Sequence, residues 1–265
     1  MGTGLSAVYI TKDAAQHLAA SIRSVVRLVD EVLVVDSGSS DETVSIAERE
    51  GARVIFHPWS GFGAQRAFAV AAAVHDWVLI VDADEVLEAD SARALREALA
   101  MADGIGGFHL RRKNYIGRRE IRHGDWAGEW VLRLVNRQKG RYNPADLVHE
   151  SWQCSCVVAR LQNAALHHYT FSSTQEMLPK LQRYSELNAQ KVAARGRSVG
   201  PWAPMSHALW AFFRGYMLRG GFLDGVEGGA IAWTTAVGAY FKYAIARDLL
   251  AALAGKRRCG SCWCA

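Results

Sequence analysis

Four short apolar runs, each stopped by a small or acidic residue and followed by a helix-like stretch, constrain this chain more than any other feature. They are Leu5–Ile10, Val32–Val35, Arg53–Phe56 and Trp77–Val81. A strand that is apolar along its length is buried on both faces, whereas a half-exposed strand alternates. The segments between them carry helical spacing. Leu18, Ile22, Val25 or Val26, and Val29 share one face. Val44 and Ala47 point inward on a second helix capped by Ser40 or Asp41, and Phe62–Val74 and Ala92–Ala100 read as two more. Strands alternating with helices of about ten residues define an α/β fold, a Rossmann-like, mostly parallel sheet with helices on both faces. Ligands bind such sheets outside the carboxyl ends of the strands. Asp36, after the second strand, and Asp82, after the fourth, stand at those ends.

The pattern changes at Gly106. Gly107–Arg111, Glu120–His123 and Val131–Asn136 read as shorter strands, and Val148–Arg160 holds one or two more. Beyond His167-His168 the chain turns helical, with Met177, Leu181, Tyr184 and Leu187 on one face. Charge shifts with it: residues 1–169 hold 19 Lys+Arg against 21 Asp+Glu, and residues 170–265 hold 12 against 5. The organisation expected is a catalytic domain over 1–169, a helical C-terminal region over 170–254 and a basic, Cys-containing tail over 255–265. At 50% hydrophobic and 22% charged, 265 residues bury a core, which excludes a disordered or fibrous chain. Five Cys do not make a disulfide framework at this length. Met1–Tyr9 has neither the basic start nor the apolar run of a signal peptide, so a reduced, cytoplasmic protein is expected.

The basic C-terminal region is rich in aromatics, among them Trp210, Phe212, Phe213, Tyr216, Trp233, Tyr240 and Phe241. A spanning helix needs about 20 mostly apolar residues. The longest uncharged window here, Gly228–Phe241, is closed by Lys242. Two readings remain. The helices lie in the membrane interface with aromatics at headgroup depth, or they pack as a subdomain.

Asp82-Ala83-Asp84-Glu85 ends the fourth strand. Two carboxylates spaced i, i+2 at such an opening can bend toward one divalent cation, Mg²⁺ or Mn²⁺, which takes oxygen ligands and keeps positions for phosphate oxygens and water. The same acids also suit a helix start. Asp36-Ser37-Gly38-Ser39-Ser40-Asp41 ends the second strand with an acid that can accept from a nucleobase or ribose, or it forms an ordinary strand-to-helix turn. The first strand carries no G-x-G-x-x-G and the chain no Walker-type loop, which disfavours a dinucleotide site. Arg111-Arg112-Lys113 and Arg118-Arg119 flank a turn. No recognition module accompanies them, so nucleic acid is not an expected partner.

These residues resemble family 2 glycosyltransferases of the GT-A fold. The resemblance lies in Leu5–Asp13, in Val35–Thr43 and in Asp82-Ala83-Asp84-Glu85. Trp59–Arg66, Val131-Leu132-Arg133-Leu134, Leu147-Val148-His149-Glu150 and Gly220–Gly225 narrow it to the lipopolysaccharide-core β-1,4-glucosyltransferase subgroup, which glucosylates inner-core heptose. The resemblance implies that Asp36 and Ser37, with Thr11 and Asp13, contact the uridine of a UDP-sugar. It implies that Gln65 and Arg66 touch the donor, that Asp84 ligates the metal, and that Asp82 and Ala83 line the ribose or a metal-bound water. Glu129 falls where the family places its base, although the subgroup more often carries a Pro-Asp there and this chain has Gly128-Glu129.

An inverting transfer needs one base to take the acceptor hydroxyl proton while cation and arginines offset charge on the leaving diphosphate. Glu129 is the first candidate for that base, with Glu150 and Asp125 in reserve. His149 is a candidate metal or diphosphate ligand or a histidine satisfied by backbone, and Arg133 steadies the diphosphate or pairs with a neighbouring acid. The function expected is transfer of a sugar, glucose from UDP-glucose, to a lipid-linked glycan at the cytoplasmic face of the inner membrane, with peripheral membrane contact. The alternatives are a polyprenyl-phosphate glycosyltransferase and a non-catalytic nucleotide-sugar-binding membrane adaptor.

Overall fold

Each apolar run forms a strand. In the computed structural model, which describes residues 4–144, 152–196 and 198–260, β1 (Leu5–Thr11), β2 (Glu31–Asp36), β3 (Arg53–Phe56) and β4 (Trp77–Ile80) pair in parallel in the order β3-β2-β1-β4. Between and after them come α1 (Ala15–Val25), α2 (Thr43–Arg49), α3 (Phe62–Ala72) and α4 (Ser91–Ala100). Successive side chains of a strand point to opposite faces. Leu5, Ala7, Tyr9, Val34 and Leu79 therefore pack with Leu18 and Ile22 of α1, Ala47 of α2 and Leu95 of α4. Val8, Leu33, Val35, Val78 and Ile80 pack with Ala69 and Val70 of α3 on the other face. Each fully buried Val, Leu or Ile contributes roughly 1.5–3 kcal/mol, so both helical layers are needed to close the core.

The sheet continues with antiparallel strands. After β4 come β5 (Glu85–Leu87), β6 (Ile105–Ile116), β7 (Arg119–Ile121), β8 (Glu129–Asn136), β9 (Gly140–Tyr142), β10 (Trp152–Cys154) and β11 (Val157–Phe171). Their order is β4-β8-β6-β11-β5, β7 hairpins onto β6, and β9 and β10 form a separate ladder. β6 and β11 are longer than their sequence patterns indicated. Both carry charged and polar residues along half-exposed stretches, which hides them from a search for apolar runs.

The residues pack as two units, one of Met1–Lys113 and Glu129–Tyr169, the other of Asn114–Gly128 and Thr170–Ala265. In the second, α5 (Met177–Ala194) and α6 (Ala203–Phe212) precede a π-helical turn at Phe213–Leu218 and the long α7 (Gly225–Gly260). α5 buries Met177, Ser185, Ala189 and Ala193, while Tyr184 and Leu187 stand exposed. The expected face is thus rotated toward small residues, because α5 and α7 approach closely. A Cβ on Gly238 of α7 would lie 3.0 Å from Leu181. The backbone of 255–260 continues α7, and 261–265 lie outside the described residues. No helix among the described residues is long and apolar enough to cross a membrane.

Candidate active site

The ends of β1, β2 and β4 bring the first group together. Asp36 is buried, and its carboxylate organises the turn that follows it. Oδ2 accepts from the backbone N–H groups of Gly38 and Ser39, both at 2.8 Å, and Oδ1 from the hydroxyls of Thr11 (3.0 Å) and Ser39. Burial alone would raise its pKa, but the donors from Ser39, Gly38 and Thr11 outweigh it and hold the carboxyl below the usual range. Gly38 takes φ +88°, the left-handed conformation that glycine adopts without a Cβ clash. Asp13 closes the same turn: its Oδ1 accepts from the backbone N–H (2.7 Å) and hydroxyl (3.1 Å) of Ser40. Gln65 is fully buried, its Nε2 donating to Ser37 Oγ at 3.0 Å and to the His57 carbonyl at 3.1 Å. It reaches the turn through Ser37.

The second group is a chain of alternating charges. Asp82 Oδ1 accepts from Arg66 Nη2 of α3 at 2.9 Å, and Oδ2 from Arg133 Nη2 of β8. Arg133 is 3% exposed and also donates to Glu85, which is fully buried, at 2.6 Å. Arg112 stands 3.7 Å from Glu85 and pairs with Glu129. The antiparallel register sets that last contact, since Arg112 of β6 lies opposite Glu129 of β8. Burial would push the Asp82 carboxyl up, yet Arg133, Arg66 and His168 hold it well below the carboxylate range. Burial would likewise lower Arg133, and Asp82 and Glu85 raise it instead. Arg66 further hydrogen-bonds the buried Tyr142.

Asp84 has a partner of its own. Its Oδ2 lies 3.4 Å from Nε2 of His168 on β11, brought there because β11 and β5 pair with His168 opposite Glu85. Ala83, half-buried, forms the turn between the two aspartates. His168, Glu85 and Arg112 have no individual role in the reading of the sequence. The polar character of β11 and the three-residue length of β5 concealed the pairing that positions the first, and Arg112 read as part of a solvated turn. Asp125 does not join the cluster. It belongs to the second unit, where Arg214 Nη2 (3.0 Å) and Arg219 Nη1 (2.5 Å) hold its carboxylate. His149 and Glu150 lie outside the described residues.

Among the described residues no three His, Cys, Asp or Glu side chains form a metal-holding group. Asp84 and His168 nonetheless fit a cation shared with a ligand. One carboxylate and one imidazole leave most of the coordination sphere to phosphate oxygens and water, as the carboxylate-held cations of nucleotide sites do. Asp82, with both oxygens on arginines, is the less available oxygen donor.

Comparisons with known proteins point to one family. The family description Glycosyl transferase family 2 matches residues 6–158. An uncharacterized glycosyltransferase of Rickettsia felis is 30% identical over 257 residues, 93% of this chain and 90% of the relative. The lipopolysaccharide core biosynthesis glycosyltransferase LpsC of Rhizobium meliloti is 30% identical over 258 residues, 91% and 93% of the two chains. Among solved structures, glucosyl-3-phosphoglycerate synthase of Mycobacterium tuberculosis, crystallised with Mn²⁺, UDP and glucosyl-3-phosphoglycerate, is 26% identical over 44% of this chain and 45% of that one. Its TM-score is 0.34. With its strand-end aspartates and their arginines on an α/β sheet, the chain belongs to glycosyl transferase family 2.

Proposed function

We propose that this glycosyltransferase inverts the anomeric centre of a UDP-sugar, UDP-glucose, and passes the sugar to a hydroxyl of a lipid-linked glycan, inner-core heptose of lipopolysaccharide. The observation that carries the donor half is the convergence of the Asp36 turn, the Asp82 arginine cluster and the Asp84–His168 pair at the carboxyl ends of one sheet. The relative named for lipopolysaccharide core biosynthesis supports the acceptor. Thr11, Asp13, Asp36 and Ser37 line the nucleoside, with the two hydroxyls on Asp36 Oδ1 free to rotate toward it. Arg66, pinned by Asp82, presents fixed positive charge where the diphosphate departs, while Arg133, buried between Asp82 and Glu85, holds Asp82 in place; fixed donors stabilise developing charge better than water that must reorient. A divalent cation on Asp84 and His168, Mn²⁺ or Mg²⁺, would neutralise charge on the leaving diphosphate. Glu129 takes the acceptor proton, with Arg112 fixing its carboxylate.

Attachment to the inner membrane from the cytoplasmic side fits the second unit. Trp202, Met205, Leu209, Trp210, Phe213 and Met217 are each about half exposed or more. They recur at three- and four-residue spacing along α6 and the turn after it. Monomers in water rarely expose so continuous an apolar stripe, and interfacial helices do.

The test is hydrolysis of a panel of UDP- and GDP-sugars without acceptor, with and without Mn²⁺ or Mg²⁺. UDP release from UDP-glucose, abolished by EDTA and by Asp84→Ala, is the expected result, and heptose-containing core lipid should then accelerate it. Release from GDP-sugars alone would refute the donor. Undiminished turnover by Asp84→Ala would refute the metal site.

A further inference from the structure

We propose that the second unit binds a sugar bearing an oxyanion, phosphate or carboxylate, in the cavity framed by the β6–β7 turn, the residues leading into α5 and the start of α7. That this sugar belongs to the acceptor glycan rests on the reading above; the site itself does not. The cavity measures about 650 Å³, and Arg118, Arg119, Ser173, Thr174, Val226 and Glu227 are among its lining residues. Roughly 300–1,000 Å³ is the range of small-ligand sites.

The lining has a definite chemistry. Arg118 is exposed and makes no hydrogen bond or ion pair with any described residue. Arg119 stands beside it on the same tight turn, so two guanidinium groups share one corner. Among the described lining residues one carboxylate accompanies them: Glu227, whose Oε2 lies 3.6 Å from Arg119 Nε. An ion pair that exposed contributes little to stability, which leaves its placement unexplained by folding.

Arg119 is also seated. Gly225, at φ +64°, lets the guanidinium rest on bare backbone, because a Cβ there would lie 3.3 Å from Nη2 and 3.4 Å from Nη1. Both Nη groups remain without a described acceptor, in the forked geometry that grips phosphate or carboxylate with two parallel hydrogen bonds. The hydroxyls of Ser173 and Thr174 and the Glu227 carboxylate offer donors and acceptors for sugar hydroxyls. Val226, 80% exposed, offers an apolar flank for a ring face. An apolar ligand would leave both arginines unmatched, and a free inorganic anion would leave the hydroxyls and Val226 unused.

The experiment follows backbone amide signals of the full chain by NMR during titration with glucose 6-phosphate, glucuronate, inorganic phosphate and glucose. Saturable shifts at Gly117, Ser173 and Thr174 with glucose 6-phosphate or glucuronate are expected, weaker shifts with phosphate and none with glucose. Whichever of the first two binds more tightly identifies the oxyanion. Arg118→Ala should weaken that binding about tenfold or more, the loss of a charge-assisted contact, and Arg118→Lys should restore part of it. Unmoved amides, shifts with glucose equal to those with its phosphate, or unaltered affinity in Arg118→Ala would overturn the site. Because no transfer is measured, a chain that binds glucose 6-phosphate here yet releases no UDP from any donor even with core lipid present would sink the enzymatic reading alone.

Discussion

Replacing Arg133 by Met tests the charge chain at its most buried link. Met preserves much of the volume and removes the nearer cation from Glu85, which is fully buried and would be left with Arg112 at 3.7 Å. Asp82 keeps Arg66 and is a quarter exposed, so its loss adds little. Breaking a buried ion pair from one side costs about 3–5 kcal/mol. At about 2–4 °C per kcal/mol for a chain of this size, Tm should fall by roughly 6–20 °C. Glu85→Gln in the same chain removes the stranded charge, so the double variant should be more stable than Arg133→Met alone. The assay is urea denaturation of all four chains at neutral pH, followed by circular dichroism, with thermal melts alongside. A loss below about 1 kcal/mol for Arg133→Met, or effects of the two substitutions that simply add, would refute the idea that Arg133 is held by what it neutralises.

Glu129→Gln should retain UDP binding and lower transfer on the order of 10²–10⁴-fold, as removal of a general base does; loss of binding together with rate would point to a structural part instead. Asp36 and Asp82 titrate below the ordinary carboxylate value because hydrogen bonds and arginines outweigh their burial. Their contribution to stability is then complete above about pH 4, the unfolded value, and lost as pH falls toward the folded ones. Asp36→Asn and Asp82→Asn should flatten the decline in stability between about pH 5 and pH 2, and an unchanged acid limb would contradict the assigned shifts. Trp210→Glu should abolish sedimentation with vesicles containing anionic lipid, while equal sedimentation of the variant would remove α6 from the membrane face.

How much of this was legible depended on the range of the forces involved. β1 to β4 and their helices announce themselves because double-sided burial leaves unbroken apolar runs, and Asp36 and Asp82 follow from standing where those runs stop. Glu85–Leu87 is a strand only because β11 lies beside it, a partner 80 residues away that no local pattern reveals. His168 was missed for the same reason, being placed by register rather than by a motif. Arg112 looked like one of several basic residues near a turn, and only the β6–β8 ladder sets it opposite Glu129. On α5 the apolar residues suggested one face, but small residues decide which face a helix buries when its neighbour comes close.

The division of the chain has a consequence for how it can be cut. Residues 114–128 lie between two segments of the first unit in sequence but pack with the second, through the Asp125 pairs to Arg214 and Arg219 and the backbone N–H groups of Arg122 and His123 on Asp224. The polypeptide therefore passes between the units three times, near residues 113, 128 and 169. A protein ended at Tyr169 would keep that excursion and lose the Arg214, Arg219 and Asp224 partners it rests on, baring Asp125 and Ile121. Exchange of the C-terminal helices with a relative, in the laboratory or in evolution, has to carry this inner loop along as part of the same piece.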